Sequence, residues 1–120
     1  MMKRLNERIT ELRSPVVVGL DPQLAFIPKK LLDQKISEYG ESLEAVAEAF
    51  YDFNTAIIDA VCDLVPAVKP QVAMYEQYGL PGLGAYKRTI DYAHRKGLIV
   101  IGDIKRGDIG STSSAYAVGH

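Results

Sequence analysis

Three short apolar runs constrain this chain most: "PVVVGLD" (15–21), "PAVKPQ" (66–71) and "LIVIGDI" (98–104), each separated from the next by a stretch with helical patterning. The first and third are aliphatic and β-branched almost without interruption. Such continuity marks parallel strands covered on both faces rather than half-solvated antiparallel ones. Strands that alternate with helices build βαβ units and a parallel sheet.

The intervening segments carry the matching 3.6-residue period. Residues 2–13 read as an opening amphipathic helix with Leu5, Ile9 and Leu12 on one face, and residues 30–39 as a shorter helix closed by Gly40. The strongest pattern runs over 42–64, where Val46, Phe50, Phe53, Ile57, Val61 and Leu64 share a stripe. Over 83–96, Leu83, Tyr86, Ile90 and Ala93 line one face; His94, Arg95 and Lys96 occupy the last turn, and Gly97 is the stop. Another helix begins near Ser111. No repeat, low-complexity tract or linker divides the chain, so residues 1–120 read as a single α/β domain. An open doubly wound sheet and a (β/α)8 barrel both accommodate this order.

The bulk properties narrow the function classes. A formal net charge of -1 gives no reason to expect a nucleic-acid or anionic-membrane partner. No apolar run approaches the roughly 20 residues that span a bilayer. The opening "MMKRLNERITELR" has basic residues without an apolar segment behind them, which is not a secretory signal, so the expected compartment is the cytoplasm. The one cysteine, Cys62, sits in an apolar helical pattern and reads as a buried structural thiol.

The strand ends distinguish the two architectures. Side chains alternate along a strand, so Ile99, Ile101, Asp103 and Lys105 share one face. Ala67, Lys69 and Gln71 share another, and Val17, Gly19 and Asp21 a third. Each strand turns from apolar or small to polar at its carboxyl end. Taken singly, Asp21 before Pro22, Asp108 in "RGDIGST" or an Asp103–Lys105 pair is ordinary turn chemistry or a structural ion pair. Together, on three converging strands, they point to the rim where barrel enzymes place their active sites. Alternating ammonium and carboxylate groups keep a lysine available as a proton donor. A fixed carboxylate also repels a bound substrate anion, and that stress is relieved when the substrate loses its negative group. Decarboxylation with proton return to carbon suits this arrangement and needs no metal or organic cofactor.

"DIKRGDIGST" resembles the Asp-x-Lys-x-x-Asp signature of the orotidine 5′-phosphate decarboxylase family, and "VVVGLDPQ" and "AVKPQVAMYE" are similar to its bacterial branch, in family order over residues 16–113. The resemblance implies a (β/α)8 barrel, here its amino-terminal part with about three strands. It implies conversion of orotidine 5′-phosphate to UMP and carbon dioxide in pyrimidine synthesis. By motif position it makes Lys105 the proton donor and sets Asp103 against the substrate carboxylate. Lys69 and Asp21 would hold the ribose hydroxyls, Lys69 also joining the charge array. Asp108, Ile109 and Thr112 would complete the site of a partner subunit in a homodimer. No metal and no cofactor is implied.

Other residues take structural readings. Arg106 reads as a solvated rim arginine, His94 as a helix C-terminal cation, and His120 has no role; Phe50, Phe53 and Tyr86 read as core. Gly79, Gly82 and Gly84 in "YGLPGLGAY" lack the phosphate-loop lysine and read as a flexible strand-to-helix connection.

A (β/α)8 barrel usually takes about 250 residues, with its phosphate site after strands 7 and 8. The expectation is therefore an incomplete barrel domain. The carboxy-terminal half, with the phosphate grip, lies outside this sequence, and the chain alone would be a poor decarboxylase. Two further readings compete: a related Mg2+-dependent sugar-phosphate lyase, and a non-catalytic half-barrel that associates through the "RGDIGSTSSAY" edge.

Overall fold

The computed structural model describes residues 1–120. Its elements are α1 (Met2–Leu12), β1 (Val17–Leu20), a 3-10 turn (Leu24–Phe26), α2 (Lys29–Tyr39), α3 (Leu43–Val61), β2 (Ala67–Pro70), α4 (Val72–Glu76), α5 (Gly79–Arg95), β3 (Ile99–Val100) and α6 (Gly110–Gly119). The strands form one parallel sheet in the order β1-β2-β3. Gly19 stands opposite Lys69 and Val68 opposite Val100, and a single bridge between Gln71 and Asp103 extends the second pairing. No helix is long and apolar enough to cross a membrane.

The long helix α3 forms where its cap and composition favour it. Ser42 Oγ accepts a hydrogen bond from the Ala45 N–H at 3.2 Å, and Glu44 lies in the first turn, at the positive end of the helix dipole. Its fully buried residues are Ala45, Ala47, Ala49, Phe50, Asn54 and Ile58. The stripe is thus rotated from the one expected: Phe53 is half-buried, and Leu64 lies exposed beyond the helix end. The buried face is centred on a polar residue, Asn54, which a count of apolar residues passes over. Cys62 caps the same helix and is half-buried rather than buried.

Two apolar clusters hold the layers together. Leu20, Val68 and Leu98 from the sheet side pack with Val65, Ile58 of α3 and Ala93 of α5. Phe50, Val72, Tyr75, Ala85 and Tyr86 fill the space under the carboxyl ends of the strands. The opposite face of β1 is open, with Val17 and Gly19 exposed, so this strand is covered on one face only.

The stretch "YGLPGLGAY" is the start of α5, not a flexible connection. Gly79 adopts φ 65°, which turns the chain sharply out of α4. Pro81 falls in the first turn, where backbone N–H groups have no partner within the helix. Gly82 lets α5 pack against the backbone of Tyr75, because a Cβ there would overlap the Tyr75 carbonyl oxygen. Helix α4 is a further departure: a five-residue helix follows β2 directly, too short to show a period.

Buried polar groups fasten the end of β1. The Tyr75 hydroxyl donates to the Leu20 carbonyl at 2.8 Å and accepts from Asn54 Nδ2 at 2.9 Å; Asn54 Nδ2 also donates to Thr89 Oγ1 at 3.2 Å. Burial pushes the Tyr75 phenol far above its ordinary value, so it remains a donor. Tyr75→Phe leaves the Leu20 carbonyl without this donor and is expected to cost roughly 2 kcal/mol. Gly82→Ala is expected to cost roughly 3 kcal/mol through overpacking. Gly84→Ala, where a Cβ meets nothing within 4 Å, is expected to stabilise by about 0.5–1 kcal/mol. Urea unfolding of the three variants beside the parent measures all of these.

Candidate active site

The charged residues gather at the carboxyl ends of the strands. Asp103 lies just past β3, and the bridge to Gln71 keeps it in register with the end of β2. Its N–H donates to the Pro70 carbonyl at 3.1 Å, and its own carbonyl accepts from Val72 N–H at 3.2 Å. These two bonds fix its side chain on the same side as Lys69, two residues back from Gln71 on a pleated strand.

The carboxylate of Asp103 sits between two ammonium groups. Lys69 Nζ donates to Oδ2 at 3.3 Å; Lys105 Nζ donates to Oδ1 at 2.6 Å and to Oδ2 at 2.8 Å. The hydrogen bond from Lys105 is the main reason that the Asp103 carboxyl is held below the usual carboxylate range, with the Lys69 bond reinforcing it. The Asp103 side chain is only 18% exposed, whereas that of Lys105 is 74% exposed. The carboxylate is thus fixed, and the donor beside it is open to solvent.

The other expected site residues are distributed around this centre. Asp21 is exposed at the end of β1, two residues beyond Gly19, which pairs with Lys69. It belongs to the same rim, but its carboxylate makes no hydrogen bond to either lysine. Asp108 accepts from the Ile109 N–H at 2.7 Å in the loop before α6. Ile109 is 82% exposed, and Thr112 is exposed in the first turn of α6. Asp108, Ile109 and Thr112 therefore form an outlying group, not part of the Lys69–Asp103–Lys105 cluster.

Arg106 departs from its reading as a solvated rim residue. Its side chain is 19% exposed and forms an ion pair with Glu76 at the end of α4. Its Nη1 also lies 3.4 Å from His120 Nε2, which accepts, since a guanidinium only donates. His94 lies exposed in the last turn of α5, as expected. Behind the cluster stands Tyr86, buried as expected of a core residue; its hydroxyl would lie 3.3 Å from a Cβ at Gly102. Burial raises the Tyr86 phenol, opposed by the charge of Arg106. The one sequence signal for Tyr75 and Glu76 was their place shortly after the second strand, whereas Tyr86 was legible as core from the helical period.

Comparison with known proteins identifies relatives of the chain. The chain is 42% identical over all 120 residues to an orotidine 5′-phosphate decarboxylase from Clostridium novyi (strain NT), covering 39% of that protein. It is 48% identical over 114 residues to one from Rhodopirellula baltica, covering 95% of this chain and 37% of that protein. The structure of Leishmania donovani OMP decarboxylase superposes with a TM-score of 0.74 at 30% identity, over 98% of this chain and 38% of that one. The chain thus spans little more than a third of the length of these relatives, and its three-stranded sheet is the amino-terminal part of a (β/α)8 barrel. Residues 14–119 match the family described as "Orotidine 5'-phosphate decarboxylase / HUMPS family", and the chain belongs to that family.

Proposed function

We propose that this chain carries the proton-transfer half of an active site that decarboxylates orotidine 5′-phosphate to UMP and carbon dioxide, without metal or organic cofactor. The observation that carries the reading is the Asp103 carboxylate held between Lys69 and Lys105 at the carboxyl ends of the strands. A substrate carboxylate bound beside Asp103 is repelled by it. Cleavage of the carbon–carboxylate bond releases carbon dioxide and leaves the electron pair on the ring carbon. The Lys105 ammonium, exposed and within reach of the same space, delivers a proton to that carbon; solvent then returns one to the amine. Lys69 of β2 and Asp21, just past β1, bind the ribose hydroxyls.

Asp108, Ile109 and Thr112 lie away from the lysine–aspartate cluster on an exposed loop and helix start, which suits residues that complete the site of a second subunit in a homodimer. The phosphate grip belongs to a part of the barrel beyond these strands, and its binding energy offsets the repulsion at Asp103. The protein works in the cytoplasm on this reading. A Mg2+-dependent sugar-phosphate lyase fits less well, because two ammonium groups within 3.3 Å of the central carboxylate oppose a divalent cation there.

Ultraviolet loss of orotidine 5′-phosphate tests the proposal. With the rest of the barrel present, Lys105→Ala is expected to lower kcat by at least about 100-fold, the lower range for a lost general acid. Turnover equal to the parent would remove Lys105 from the reaction. Insensitivity of the parent's rate to a chelator is expected as well; a loss on chelation would favour the lyase.

Acid sensitivity gives a second measurement. The Asp103 carboxyl is depressed by its lysine partners, so its stabilising effect is complete above the ordinary aspartate value of about 3.9 and is lost as pH falls through the lower folded value. Asp103→Asn is expected to flatten the fall in melting temperature below about pH 4. Melts across that range, parent against variant, check the sign.

A further inference from the structure

The segment that carries Lys105 has little backbone support. The last rung of the sheet is the pair of bonds made by Asp103. Beyond it the Arg106 N–H donates to the Ile104 carbonyl at 2.9 Å, a three-residue turn centred on Lys105 that lifts this residue out of the ladder. The next anchored backbone is at α6, where Thr112 and Ser113 donate to the Ile109 carbonyl.

A side-chain tie takes the place of the missing rungs. The Arg106 guanidinium, mostly covered, pairs with Glu76 at the carboxyl end of α4. Helix α4 is itself fixed at both ends. Val72 N–H donates to the Asp103 carbonyl at its start, and the Tyr75 hydroxyl is bonded to β1 near its end. Lys105 and Arg106 are neighbours whose side chains leave the backbone in different directions: one reaches Asp103, the other Glu76.

We infer that the Glu76–Arg106 ion pair is a positioning device that holds the Lys105 ammonium against Asp103 by clamping the carboxyl end of β3 to α4. The inference rests on the reading of Lys105 as proton donor for its functional meaning, but its geometry is testable without turnover. Glu76 and Arg106 touch no reacting atom and are not catalytic residues.

The test follows the Asp103 carboxyl by 13C NMR titration in the chain and in Glu76→Asp and Glu76→Gln variants, with Lys105→Met as the limit in which the Lys105 bond is absent. If the pair positions Lys105, both Glu76 variants release Arg106, the Lys105 bond loosens, and the Asp103 midpoint rises. The expected rise in Glu76→Gln is at least half that seen in Lys105→Met, with a smaller rise in Glu76→Asp. A pure field effect has a different sign pattern. Removing the negative charge of Glu76 would lower the Asp103 midpoint in Glu76→Gln and leave it unmoved in Glu76→Asp, whose charge is unchanged. Either of those results overturns the inference. Should Glu76→Gln lose the native amide spectrum, Glu76→Asp alone decides by the same criterion.

Turnover separates this inference from the functional reading. In a full-length enzyme that decarboxylates orotidine 5′-phosphate, Glu76→Gln is expected to lower kcat by roughly 10–100-fold, with KM within about threefold, as for a misplaced reacting group. An unchanged kcat there overturns the positioning role. A full-length parent without turnover overturns the functional reading, while the titration still decides the geometry.

Discussion

The backbone of one residue, Asp103, ties the sheet to the site. Its N–H reaches the Pro70 carbonyl and its carbonyl receives the Val72 N–H, so Gln71 between them is held on both sides. Val72 opens α4, and its N–H belongs to a first turn that has no partner within the helix. Asp103 satisfies that N–H, and α4 can start directly at the end of β2. The same residue thus closes the last rung between β2 and β3, starts the helix under the rim, and sets its carboxylate where Lys69 reaches it. A slip of one residue in this pairing would turn Asp103 and Lys105 to the helix-covered face, where two apolar clusters leave no place for them.

The remaining strand is joined to this arrangement from below. Tyr75, in α4, packs edge-on to Phe50 of α3 and Tyr86 of α5, with ring centroids 6.2 and 5.3 Å apart, and sends its hydroxyl to the last carbonyl of β1. One short helix therefore gives a backbone bond to Asp103, just past β3, and a side-chain bond to the end of β1. The close approach of α5 at Gly82 is part of the same packing, since it lands on the Tyr75 backbone. Rigidity at the rim comes from this chain of contacts, while the opposite face of β1 stays open.

The strands, their parallel order and the polar carboxyl ends were legible in the sequence because a two-residue period survives even in short segments. Asp103 and Lys105 fall on one face by that rule, and the register of the second pairing brings Lys69 to them. What was not legible depends on partners distant in sequence. Asn54 looks polar until Tyr75 and Thr89 are placed beside it, so the stripe of α3 was centred on the wrong residues. Gly79 and Gly82 have loop composition, and only the approach of α4 explains a helix there. Arg106 follows the rim lysine in sequence, but its direction is set by Glu76, thirty residues earlier and on another element.

The charge cluster is poorly explained by stability. Exposed ion pairs contribute little, because solvent screens them and ordering long side chains costs entropy. Lys105, largely exposed, is a weak structural partner by that standard. Yet it makes two bonds to a carboxylate that a second lysine already approaches. Asp103 carries the reverse combination, little exposed and rigidly placed by its own backbone. A fixed anion beside an exposed cation is an arrangement in which the cation can turn to a new negative centre while the anion cannot retreat from one. The proposed proton delivery to a carbon that is losing a carboxylate would use that asymmetry: the group that repels stays fixed, and the group that donates is free to follow the charge.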